Sequence, residues 1–173
     1  MSKATKCYGG RAHKGGGRNA VTVLDAHRVS PYTVVLMMLN MTLLGTPQIT
    51  WNGEPLVLRP RNSARAKAIL YYLAAEGRPV TRERMAGLLW SDWPDKKARD
   101  YLRGELFLLG PLRPSPLREV DGCLELDPAT AASDLASFRH LSERAGVTVD
   151  ELDQALHLYT GPFMQGFESV IES

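Results

Sequence analysis

Two cysteines in 173 residues, Cys7 and Cys123, are too few for a disulfide framework, and no Cys-x-x-Cys pair exists to open a zinc site. A chain this poor in thiol pairs fits a reducing compartment, and the expected location is the cytoplasm. His13, His27, His140 and His157 share no metal-ligand spacing, so no metal is expected. Long apolar runs are also missing. Val34–Leu39 is the longest, far short of the ~20 residues that a bilayer-crossing helix needs, so no membrane partner is expected. The basic N-terminus is followed too late by apolar residues and lacks a small-residue cleavage site, which speaks against a signal peptide. No Gly-x-Ser-x-Gly elbow, P-loop or dinucleotide fingerprint occurs, and Gly15-Gly16-Gly17 lacks the strand-turn-helix setting of a phosphate loop. Neither an enzyme nor a cofactor is expected.

Charge of one sign is scarce at each end in turn. Residues 1–58 carry six Lys/Arg against two Asp/Glu, residues 59–103 eleven against five, and residues 104–173 four against twelve. The overall charge of +2 hides this split. A basic segment joined to an acidic one implies two surfaces with different partners. Hydrophobic residues at 44% and charged residues at 23% allow a sizeable core.

Residues 1–36 interleave Gly9-Gly10 and Gly15-Gly16-Gly17 with Lys3, Lys6, Arg11, Lys14 and Arg18. Such a stretch cannot bury enough apolar surface to offset its ordering entropy and is expected to be a disordered basic tail. A chain starting at Met37 is expected to keep its fold and its binding. From Leu39 to Leu58 the pattern is short strands: Met41-Thr42-Leu43-Leu44, then Gln48-Ile49-Thr50-Trp51, then Glu54 to Leu58 after Asn52-Gly53. Asn-Gly suits a two-residue turn because both positions need positive φ. A small antiparallel sheet is expected, and it needs a helix to pack against.

Arg61-Asn62-Ser63 supplies helix-start residues, and Ala64, Ala68, Leu70, Tyr71, Leu73 and Ala74 give the helix an apolar face. Glu76-Gly77 stops it, and Arg78-Pro79-Val80 is an extended link. Thr81 caps a second helix whose Met85, Leu88, Leu89 and Trp90 are spaced to face a core. A third helix over about 97–109 repeats Ala98, Leu102, Leu106 and Leu109 along one stripe, with Arg99, Arg103 and Asp100 beside it and Gly110-Pro111 at its end. Asp121-Gly122 then turns a hairpin at 117–126. From Ser133 two helical stripes follow, Leu135, Phe138 and Leu141, then Val149, Leu152, Leu156 and Tyr159, before Gly161-Pro162 and an apolar tail of Phe163, Met164 and Phe167.

Sheet, helix, short link, helix, helix, hairpin is the order of an OmpR-type winged helix. Gly77 through Glu83, Leu88-Leu89-Trp90, and Lys97-Ala98-Arg99 to Leu102-Arg103 resemble the DNA-binding domain of SARP/AfsR-like transcriptional activators. Ser133-Asp134-Leu135, Phe138, and Ala155 to Met164 with Gly166-Phe167 are similar to the start of that family's bacterial transcriptional activation domain. The match covers roughly residues 39–168 by pattern. It implies an α+β fold: an N-terminal antiparallel sheet, a winged helix-turn-helix over 37–128, and a C-terminal α-helical, TPR-like segment over 133–173. It implies a cytoplasmic transcriptional activator with double-stranded DNA as partner, and RNA polymerase or self-association as further partners. Only about one TPR-like helix pair is present, so the chain looks truncated, or its last helices pack on the winged helix.

The expected DNA-binding residues follow from how an α-helix fits the major groove. Arg99 and Arg103 face base edges, since a guanidinium can pair two acceptors of guanine. Lys96, Lys97, Arg82, Arg84 and Arg118 in the wing suit phosphates. A single exposed Arg or Lys is usually just solvated, whereas four at one helix start carry more weight. The same helix departs from the family at its end. Glu105-Leu106-Phe107-Leu108-Leu109 has no positive charge, Glu105 would be repelled by phosphate, Gly104 weakens the helix, and Phe107 and Leu108 would be exposed. A second reading therefore stands beside the first: a degenerate winged helix serving as a protein-protein interaction module with little DNA affinity.

Overall fold

The computed structural model describes residues 39–61, 63–143 and 146–167. The expectations for residues 1–36 and for a start at Met37 lie outside them. The chain begins with β1 (Leu39–Thr42), β2 (Gln48–Trp51) and β3 (Glu54–Pro55). Asn52 and Gly53 sit at φ 53° and 86°, the left-handed pair that the tight turn requires. The third strand is shorter than the expected run to Leu58. The Leu56 N–H still donates to Ile49 O at 2.9 Å, after which Leu56 and Leu58 enter the core and Val57 faces solvent. A fourth strand, β7 (Ala131–Ser133), lies parallel to β1, giving the order β3-β2-β1-β7. The sheet is therefore mixed, and the expectation of a purely antiparallel sheet is corrected. Three residues, Ala-Ala-Ser, are too few to show an alternation, and a parallel pairing joins segments far apart in the chain.

Helix α1 (Ala64–Glu76) starts at Ser63, whose hydroxyl accepts from the Ala66 N–H, and stops at Gly77 with φ 63°. It is buried on two sides. Ala66, Leu70, Tyr71 and Ala74 pack with Leu39, Met41, Leu43 and Ile49 of the sheet region. Ile69 and Leu73 pack with Met85, Trp90, Ala98, Leu102 and Leu124. Helix α2 (Arg82–Leu89) is capped by Thr81, and α3 (Asp95–Leu109) begins two residues before Lys97. Leu88, expected in the core, is exposed, because α2 is held by Met85 and Ala86.

The wing is β5 (Leu117–Val120) and β6 (Cys123–Leu126), with Asp121 and Gly122 at φ 51° and 76°. Val80–Thr81, expected only as an extended link, forms β4 and pairs antiparallel with β6. The wing is thereby fastened to the start of α2. Helix, helix, helix and a hairpin fastened in this way make a winged helix, and the described residues form an α+β fold.

Helices α4 (Asp134–Ser142) and α5 (Val149–Leu158) pack on each other. The Asp134 carboxylate accepts from the backbone N–H groups of Leu43 and Leu44 at 2.8 and 2.9 Å. The segment after α5 returns to the same place: Met164 N–H donates to Leu43 O at 2.7 Å, Gln165 N–H to Gly45 O at 2.9 Å, and Gly45 N–H to Pro162 O at 3.1 Å. Gly45 has φ 119°, and a Cβ there would collide with the Thr160 side chain, so this approach needs glycine. The stripe expected to bury α5 is corrected. Val149 and Leu156 are 81% and 67% exposed, Leu152 and Tyr159 are also exposed, and α5 is held by Ala155 and Glu151 instead. Helical spacing marks an apolar face without saying what covers it. Among the described residues no helix is long and apolar enough to cross a membrane.

The second half of α3 is where the sequence expectation changes most. Glu105 is 5% exposed and turned inward, where it accepts from Arg61 Nη2 at 2.6 Å and from the Ser63 hydroxyl. Its carboxylate thus fastens α3 to the start of α1 and does not face a ligand. Leu108 is buried with Leu109, because both lie on the Ala98–Leu102–Glu105 side of the helix. Glu105→Ala should lower stability by about 1.5–3 kcal/mol in urea unfolding, since it removes charge-assisted hydrogen bonds from a buried site. Arg103→Ala on the exposed side should change it by under about 0.5 kcal/mol.

Burial pushes the Tyr71 phenol up to about 12. A folded-state value raised above the ordinary ~10 gives stability that is complete below that pH and is lost as pH rises through about 12. Alkaline unfolding monitored by circular dichroism should show this loss in the wild type, and Tyr71→Phe should remove that component.

Candidate nucleic-acid interface

The exposed side of α3 is built from residues left over once the core is filled. Ala98, Leu102, Glu105, Leu108 and Leu109 point inward. At 100° per residue the opposite line is Lys96, Asp100, Arg103 and Phe107, with intervals of four, three and four. Arg99 and Gly104 flank it, and all six residues are exposed. Arg103 Nη1 lies 3.3 Å from Asp100 Oδ1, an exposed contact worth little. Among the described residues neither Lys96 nor Arg99 has an ion-pair partner.

Lys96 and Lys97 stand in the first turn, where the helix dipole disfavours positive charge by about 0.3–1 kcal/mol per residue. Asp95 offsets part of this. Lys97 has a further support that sequence reading missed. Its Nζ sits 3.6 Å from the Trp93 ring centroid and 5.7 Å from that of Tyr101. Tyr101 stacks on Trp90 at 6.1 Å, Trp93 meets Tyr101 edge-on at 5.6 Å, and Arg65 lies over Trp90 at 5.6 Å. The signal for this array was present as aromatic residues at 90, 93 and 101. The loop geometry that gathers them was not.

The remaining expected residues are held by carboxylates. Arg82 Nη2 donates to Glu119 Oε2 of the wing at 2.7 Å, and Arg118 Nε to Glu125 Oε1 at 2.6 Å. Arg84 Nη2 donates to Glu76 Oε1 at 2.8 Å, and its Nε to the Tyr72 hydroxyl at 3.0 Å. Arg84 therefore faces the end of α1, Arg82 joins α2 to the wing through Glu119, and Arg118 pairs within the wing with Glu125. Lys96, Lys97, Arg99 and Arg103 are brought together on α3, and Arg84 is set apart from them.

The hydrogen bond from Arg82, reinforced by its charge, holds the Glu119 carboxyl below the usual carboxylate range. A lowered folded-state value means that this pairing contributes at pH above the ordinary carboxylate pKa and is lost as pH falls through the lowered one. Carboxyl-resolved NMR should find Glu119 titrating below an ordinary glutamate, and Arg82→Ala should return it to the ordinary range.

No family model matches the chain, and neither does any curated protein. Among solved structures, Mycobacterium tuberculosis EmbR in complex with a low affinity phosphopeptide is similar, with a TM-score of 0.53 and 22% identity over 76% of this chain. The match spans 38% of the EmbR chain. At that identity the likeness shows a shared fold.

Proposed function

We propose that this protein is a DNA-binding transcriptional regulator that lays α3 in the major groove, with the β5–β6 hairpin beside it as a wing. The observation that carries this reading is the cluster of Lys96, Lys97, Arg99 and Arg103 on the exposed side of α3, in a fold shared with EmbR. Two lysines at the positive end of a helix oppose the dipole, and a phosphate placed there would satisfy the lysines and the free N–H groups together. Arg103 and Arg99 would reach base edges. Arg82 would trade Glu119 for a phosphate, an exchange opposed only by a surface ion pair worth about 0–1 kcal/mol, and Arg118 would leave the more covered Glu125. Arg84 joins less readily, since Glu76 and Tyr72 both hold it.

The domain reading is part of the same proposal: a winged helix over 37–128 and the start of a TPR-like activation domain over 133–173. The open stripe of Val149, Leu152, Leu156 and Tyr159 supports a protein contact there. RNA polymerase, further helix pairs or a second copy are its expected partners. It equally supports the second reading, in which the fold acts through protein contacts with little DNA affinity.

Selection of bound duplexes from fragmented genomic DNA by the purified protein separates the two. On a selected site Arg103→Ala should weaken binding by about 1–3 kcal/mol. Lys97→Ala should weaken binding to all sequences alike and lower the salt slope by about 1. If no duplex is retained even at low salt, the DNA-binding reading is wrong.

A further inference from the structure

Once Glu105, Leu106, Leu108 and Leu109 are assigned to the interior side of α3, one large apolar residue of that helix is left without a structural task. Phe107 is 78% exposed, the most exposed aromatic residue among those described. It lies on the outermost line of the helix, four residues after Arg103, so the two side chains project from the same face one turn apart. Beside that line Gly104 is open, and a Cβ there would meet nothing within 4 Å. Packing therefore does not require glycine at 104. Its effect is a low point in the outer surface, where a ligand can come close to the helix backbone beside the Arg103–Phe107 line.

Resting on the DNA-binding reading above, we propose that Phe107 is a specificity-determining residue that recognises the 5-methyl group of a thymine in the major groove. The thymine methyl is the one apolar feature a base pair presents there, and a phenyl ring is among the side chains that suit it. On a helix lying in the major groove, side chains three to four residues apart reach neighbouring base pairs, so positions 103 and 107 reach base pairs about one or two steps apart. The thymine therefore lies about one or two base pairs from the guanine read by Arg103. Glu105 does not oppose this contact, because its carboxylate is turned to Arg61 and Ser63. A helix whose far end lacks positive charge can then still read sequence there, through apolar contact, while Lys96 and Lys97 supply the phosphate contacts at its start.

The test replaces each thymine of a selected duplex in turn by deoxyuridine, which keeps the base pair and removes only the methyl. At one position, about one or two base pairs from the guanine whose replacement abolishes the Arg103 contribution, the wild-type protein should lose about fourfold in affinity, the value expected for one buried methyl. Phe107→Ala should bind the thymine and deoxyuridine duplexes alike while melting at the wild-type temperature. If the wild type is indifferent to deoxyuridine at every position, the Phe107 proposal fails and the DNA-binding reading stands. If Phe107→Ala keeps the wild-type sensitivity to deoxyuridine, another residue reads the methyl and the proposal fails. If no duplex is retained at all, both fall together.

Discussion

Everything in this fold leans on α1 being covered on two sides at once. Its Leu70–Tyr71–Ala74 side belongs to the core of the sheet, and its Ile69–Leu73 side to the core of the winged helix. A helix in that position has to be fixed at both ends, because a slide along its axis would disturb both cores together. At its start the Ser63 cap and the Glu105 carboxylate hold it to α3. At its end Gly77 closes the backbone, and Arg139 of α4 donates to the Ala75 carbonyl at 2.9 Å. The fixed α1 sets where α3 lies, and hence what α3 can show to solvent.

That dependence resolves the split character of α3. Read along the chain, its end looks apolar and acidic, unsuited to a nucleic acid. Read around the helix, Glu105, Leu108 and Leu109 are inward residues, and the outer face carries Lys96, Arg99, Asp100, Arg103, Gly104 and Phe107. The outer face is basic at one end and apolar at the other, and its one acid is paired with Arg103. Around it the basic residues of α2 and the wing are tempered by Glu76, Glu119 and Glu125. Such pairs keep the guanidiniums placed; Arg82–Glu119, open to solvent on both sides, weighs least against phosphate.

The last helices serve two ends. Asp134 and the return of residues 160–165 tie them to the strand end at Leu43–Gly45, so the sheet is stabilised by chain from the far end of the sequence. Their outer side remains apolar, with Val149, Leu152, Leu156 and Tyr159 in one row. Asp150 and Asp153 are exposed beside that row.

The sequence by itself determined what depends on neighbours a few residues away. Asn52-Gly53 and Asp121-Gly122 announce their turns through positive φ, Ser63 and Thr81 their helix starts through capping, and Gly77 its helix end. The 3.6-residue period placed Ala98, Leu102 and Leu109 on one side of α3 and left Lys96, Lys97, Arg99 and Arg103 outside. Only the tertiary structure decided what depends on distant chain. The parallel pairing of β7 with β1, the pairing of β4 with β6, the inward turn of Glu105 onto Arg61, and the aromatic support under Lys97 each join groups that no local pattern links. The same holds for burial. Spacing gives a helix an apolar side, but whether that side meets a neighbour, as in α3, or solvent, as in α5, is set by where other elements come to rest.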